Sequence, residues 1–112
     1  MRQYLDIIAS EATLTESEGG KLGNLITVKL NDEAADFWIT RRGSIETVGS
    51  PSKEFNPESF GITVVRTDML LPQYLFYAIQ HLHGRGYFKP LAKGSLKLVG
   101  IRADDIKNIQ LG

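Results

Sequence analysis

Cysteine is absent from the 112 residues, and only two histidines are present. That excludes a disulfide framework and a thiolate metal site, and two imidazoles cannot by themselves build a zinc centre. Long apolar runs are also missing: no stretch approaches the roughly 20 residues needed to span a bilayer. The opening Met1-Arg2-Gln3-Tyr4-Leu5-Asp6 lacks the apolar core of a signal peptide. The expectation is a cytoplasmic protein with no membrane association, no metal and no cofactor. Net charge is lacking too, with 13 Lys and Arg against 13 Asp and Glu. This argues against a protein that grips nucleic acid by bulk electrostatics, because such domains are commonly strongly basic.

The zero conceals an asymmetry. Residues 1–68 carry seven Lys/Arg against eleven Asp/Glu, whereas residues 69–112 carry six against two. From Met69 to Ala103 there are five cations, Arg85, Lys89, Lys93, Lys97 and Arg102, and no carboxylate. Such a segment either faces an anion or forms a solvated positive rim. Sequence alone leaves open whether the two charge sets occupy separate faces or pair across the fold.

With 42% hydrophobic and 23% charged side chains, the chain suits one domain spanning 1–112 with one core. It has no internal repeat, low-complexity tract or linker. In the first dozen residues, Tyr4, Leu5, Ile8 and Ala12 follow a helical stripe while Leu5, Ile7 and Ala9 alternate, with a slight preference for a strand. Glu16 to Asn24, with three glycines, reads as a loop. Ile26, Val28 and Leu30 alternate with polar residues as a half-buried strand does, and Asn31-Asp32 ends it. Phe37 to Thr40 and Ile45 to Val48 flank Arg41-Arg42-Gly43-Ser44, which predicts a hairpin with a basic turn. Gly49 to Ser59, with two prolines, reads as a long surface loop. Ile62 to Val65 is a β-branched strand.

The clearest helix runs from about Pro72 to His83. Proline suits the first helical position, Gly84 marks the end, and Leu75, Ala78, Ile79 and Leu82 recur at helical spacing, with Tyr74 and Tyr77 flanking them. Beyond it lies a Gly-punctuated basic loop, then a strand through Leu96, Leu98 and Ile101, a helical turn at Ala103 to Ile106, and a closing strand at Ile109 to Leu111. The fold class expected is α/β in the α+β sense: a bent, mostly antiparallel sheet with one main helix.

Catalytic constellations are missing. His81 and His83 both lie near one helix end, unsuited to a Ser/His/acid triad, and their i, i+2 spacing is not that of a helical metal pair. Asn56-Pro57 lacks the second proline of the adenine-holding motif of amino-methyltransferases. Lys21 after Gly19-Gly20 lacks the order of a P-loop. Binding remains. Arg41 and Arg42 at the predicted turn, Lys53 in the long loop, and Arg85, Lys89, Lys93, Ser95 and Lys97 around the glycine loops have the reach and chemistry for phosphates or guanine edges.

The order of features carries a resemblance. Phe37 to Ile45, Phe60 to Val65, Leu70-Leu71-Pro72-Gln73-Tyr74-Leu75, Gly94-Ser95 and Asp105-Ile106-Lys107-Asn108-Ile109 occur in the succession found in target recognition domains of type I restriction-modification specificity subunits. The region from about Leu25 to Leu111 resembles such a domain. The resemblance implies a non-enzymatic module that reads half of a bipartite duplex DNA target, while a separate methyltransferase subunit supplies the chemistry. Family members commonly run longer, occur in pairs and continue into a spacer helix, whereas this sequence stops at Gly112. A lone module would gain affinity as a homodimer. Two other readings stay open: a recognition-domain mimic, phage-like or carried by a mobile element, that binds a restriction, transcription or replication protein, and an enzyme, for which no constellation speaks.

Overall fold

Burial explains the order of the strands. A computed structural model describes residues 21–95 and 97–110. Among them are a 3-10 turn at Leu22–Asn24, strands β1 (Ile26–Lys29), β2 (Phe37–Ile39), β3 (Arg42–Gly43), β4 (Pro51–Ser52) and β5 (Phe60–Val64), and helix α1 (Pro72–Gly84). A second 3-10 turn (Lys89–Leu91), β6 (Lys93–Gly94), β7 (Val99–Gly100) and helix α2 (Ala103–Lys107) follow. The architecture is α+β with antiparallel sheets and one main helix, as expected. The strands divide into two sheets rather than one.

The larger sheet has the order β1-β5-β2-β4. β5, the longest strand, sits inside, with Ile26 opposite Val64 on the β1 side and Phe37 opposite Ile62 on the β2 side. Its residues are buried except Thr63, which is half-buried, so it does not alternate as a one-faced strand would. Where β2 begins, the side chain of Asp36 takes over the ladder: its Oδ2 accepts the Val64 N–H at 2.8 Å. Helix α1 turns Leu75, Ala78 and Ile79 into the core, and Phe76 meets Phe37 edge-on with ring centroids 5.5 Å apart. Burying Leu75 and Ile79 contributes roughly 1.5–3 kcal/mol each, which makes the stripe the main reason the helix forms. Leu71 precedes it in extended conformation and Pro72 opens it. At its end the Tyr87 N–H donates to Leu82 O at 3.0 Å, turning the chain back towards the core.

Lys21 and Gln110 form an isolated bridge, and the Leu22 N–H donates to Ile109 O at 2.9 Å. Leu22, Leu25, Ile106 and Ile109 are all buried in the core that these contacts close. The glycine-rich loop expected to end at Asn24 therefore finishes in a buried turn. The closing strand shrinks to that single bridge, and Leu111 lies outside the described residues, as do the first twenty.

The hairpin expected between Phe37 and Val48 does not form. Ser44 to Val48 is a turn, in which the Ser44 N–H donates to Thr47 Oγ1 at 3.0 Å and the Thr47 and Val48 N–H groups both donate to Ser44 O at 3.1 Å. Local hydroxyl bonds of this kind compete with strand pairing. On the side away from β5, β2 pairs with β4, with Trp38 opposite Ser52, so the predicted long loop contains a strand. Arg42 and Gly43, the expected turn, are themselves a strand: the chain leaves the first sheet at Ile39 and enters a second, ordered β3-β7-β6. The strand expected through Leu98 is confined to Val99–Gly100. Ser95 prevents a longer one, because its N–H donates to Leu98 O and its Oγ accepts the Leu98 N–H.

Gly49 joins the two halves of this arrangement. Its φ is +86°, and the ring of Phe88 lies so close that a Cβ would come within 2.1 Å of it. Replacing Gly49 by alanine adds a clash to a disfavoured backbone conformation, so Gly49→Ala is expected to lower unfolding stability by roughly 2–4 kcal/mol in urea titrations. A Phe88→Leu change in that background should restore part of the loss. A loss below about 0.5 kcal/mol, typical of an inconsequential surface change, would contradict the contact.

Candidate functional site

The second sheet carries the densest uncompensated charge. In antiparallel pairing, residues opposite one another share a face. Arg42 lies opposite Gly100 across β3 and β7, and Lys93 lies opposite the same glycine across β7 and β6. The row therefore reads Arg42, Gly100, Lys93. Two residues on, Arg102 returns to that face, while Ile101 between them is only 4% exposed and turns into the core. Arg41, Arg42, Lys93 and Arg102 line one cleft of about 400 Å³ together with Gly94, Leu98, Val99, Gly100 and Ile101. Among the described residues no carboxylate lines it.

A second cleft of about 290 Å³ adjoins the first and shares Arg41, Arg42 and Leu98 with it, adding Thr40, Asn56, Glu58 and Ser59. Arg41 is oriented between the two: its Nε–H donates to Glu58 O at 2.9 Å. Holding the guanidinium by Nε leaves the edge formed by its two terminal nitrogens for a partner, a fork that suits a carboxylate, a phosphate or the O6 and N7 of guanine. None of the four cleft cations forms an ion pair with a described residue.

The remaining candidates are elsewhere. Lys89 pairs with Glu46 at 3.2 Å. Lys53 rests its ammonium 4.9 Å from the Phe76 ring centroid, a cation–π contact beside α1. Arg85 caps the C-terminal end of α1 through its backbone N–H, which donates to His81 O at 3.1 Å. Ser95 spends its hydroxyl on the β6–β7 turn, and Lys97 is exposed in that turn outside both clefts. Of the predicted set, the structure brings together Arg41, Arg42 and Lys93. It adds Arg102, whose signal in the sequence was the two-residue alternation Gly100, Ile101, Arg102.

Tyr87 and Phe88 belong to the core rather than to a stacking platform. Phe88 is buried and Tyr87 packs edge-on against it at 5.1 Å. Burial raises the Tyr87 phenol above its ordinary value, and the charge of Asp105 adds to the effect. The Arg66 guanidinium donates to Asp68 at 3.2 Å and holds that carboxyl below the usual range. Among the described residues no group of His, Asp and Glu could hold a metal ion, and no helix is long and apolar enough to cross a membrane.

No protein-family model, curated protein or solved structure matches the chain.

The two histidines differ. His83 Nε2 meets Glu46 O at 2.8 Å. His81 Nε2 is buried with no hydrogen-bond partner among the described residues. Loss of hydration lowers the His81 pKa, and the charge of Arg85 pushes the same way. A histidine held below its ordinary value leaves the unfolded chain binding more protons as pH falls, so its contribution to stability is present above about pH 6.5 and is lost below it. The fall in melting temperature from about pH 7.5 to about pH 5 should therefore be smaller in His81→Gln than in the wild type. Equal falls would show that His81 protonates as easily in the fold as outside it.

Proposed function

We propose that the protein is a DNA-recognition module without catalytic activity, organised like the target recognition domain that its order of features resembles, half of a type I specificity subunit. The observation that carries this reading is the cleft in which Arg41, Arg42, Lys93 and Arg102 converge, with no carboxylate among its described lining residues. A surface that gathers cations and excludes anions suits a polyanion. Lysine and the freer arginines act as phosphate anchors, and the oriented fork of Arg41 is suited to a guanine edge. Chemistry on the DNA belongs to a separate subunit, such as a methyltransferase, and pairing of two copies would supply the second half-site.

Leu98 is half-exposed and lines both clefts, an apolar contact that would suit a protein partner instead. Salt distinguishes the two. If the four cations neutralise phosphates, the logarithm of the duplex-binding constant should fall with the logarithm of salt with a slope of about −3 to −4. Charge reversal of Arg41, Arg42, Lys93 and Arg102 together should abolish binding in fluorescence anisotropy titrations, whereas reversal of Lys89, already paired with Glu46, should do little. Arg41→Lys keeps the charge and loses the fork, so it should keep the salt slope while reducing sequence preference in a randomised duplex pool by about tenfold. Duplex binding that survives the fourfold reversal would sink this reading, and a salt-insensitive complex with a protein would favour the recognition-mimic alternative.

A further inference from the structure

The centre of the cleft is a glycine that its backbone conformation does not require. Gly100 lies outside the left-handed region, so an L-residue could adopt its φ. What its missing side chain leaves is space: it forms the floor between Arg42 and Lys93, one strand to either side. At the usual strand spacing those two residues stand roughly 9–10 Å apart at the backbone, and their long side chains can close on a small anion from both sides. Arg102 supplies a third charge on the same face. The adjacent row, Gly43, Val99 and Gly94, carries no charge. Charge and open floor coincide in the row through Gly100.

We propose that this cleft is a seat for one phosphate group, held over Gly100 between Arg42 and Lys93 with Arg102 beside it. Resting on the reading above, the phosphate is a backbone phosphodiester of duplex DNA. The seat positions the chain on the duplex, which leaves Arg41, oriented by Glu58 O, to reach beyond the backbone. The chemistry that recognises a phosphodiester would also admit free phosphate, which provides an independent probe.

Gly100→Ala is the decisive variant because it removes no charge. A methyl there comes 3.3 Å from Arg41 O and 3.9 Å from Arg42 Cγ, close but accommodated by a small shift. With the fold verified by circular dichroism, Gly100→Ala should weaken duplex binding about tenfold and reduce the salt slope by about one phosphate contact. A folded Gly100→Ala that binds like the wild type overturns the seat while leaving DNA recognition standing. If Gly100→Ala does not fold, Lys93→Met is compared with Lys97→Met, which removes an equal charge outside the cleft. Loss confined to Lys93→Met supports the seat, and equal losses overturn it. Titration of the wild type with millimolar inorganic phosphate, followed by amide chemical shifts, separates the two claims. Shifts centred on Lys93, Gly100 and Arg102 with no binding of duplex DNA uphold the seat and remove DNA as its source. No shift at those amides, together with no DNA binding, overturns both.

Discussion

The seating of Phe88 on Gly49 is the contact on which the cleft depends. The smaller sheet consists of three strands of two residues each, too few pairings to be stable alone. It is held in place from outside. Phe88 is buried, and its carbonyl receives the N–H groups of Leu91 and Ala92, so the segment leading to Lys93 is fixed by the core. Gly49, beneath the ring, donates its N–H to Thr40 O, and the Thr40 N–H donates to Ser50 O; this fixes the segment leading to Arg42. The two arms of the cleft thus meet at one aromatic ring lying on one glycine. The third strand is tied in by the Ile101 N–H, which donates to Arg41 O.

The cations Arg42, Lys93 and Arg102 can gather on this sheet because they stand at its exposed positions. Ile101 faces inward and satisfies the core, and the alternate positions can then be charged without desolvation. Three of the carboxylates have partners of their own. Asp36 extends the β5 ladder, Asp105 accepts the Arg102 N–H at the start of α2, and Glu46 pairs with Lys89. Screening in physiological salt acts over about 8 Å, so charges beyond that distance scarcely dilute a local cluster. A formal net charge of zero is therefore compatible with a strongly positive cleft, and overall charge is a poor guide to what this surface would attract.

Periodicity made the parts of the fold that bury side chains legible. The stripe through Leu75, Ala78 and Ile79 and the β-branched run from Ile62 to Val64 reflect burial and match the structure, whereas the alternation through Ile26, Val28 and Leu30 fails at its end, where Leu30 lies exposed beyond β1. The second sheet was illegible for the opposite reason. Two-residue strands have no period, and the pairing of Arg42 with Gly100 spans more than half the chain, so no local pattern encodes it. Ser44, expected in the hairpin turn, and Thr47, expected in its second strand, bond to one another, which replaced the predicted hairpin by a turn. In the candidate site, charge singled out Arg41, Arg42 and Lys93. It also singled out Lys53 and Lys89, which have partners in Phe76 and Glu46, because a cation and its local neutraliser are not neighbours in sequence.

A cleft built from such short strands is a low-stability element set on a rigid one. The larger sheet and α1 bury the side chains that carry global stability, whereas each strand of the smaller sheet holds its neighbour by few backbone bonds, the kind of region that opens locally before the whole domain does. A ligand bridging Arg42 and Lys93 would fasten β3 to β6 across β7 and add its binding free energy to that weak pairing. Arg41 would then be drawn to a fixed position by a bond already present, its Nε–H on Glu58 O. Under the proposed function, anchoring and reading are separable in this geometry: the charges that would hold an anion sit on the short-stranded sheet, and the fork that could discriminate among partners is tethered to the loop that leads into β5.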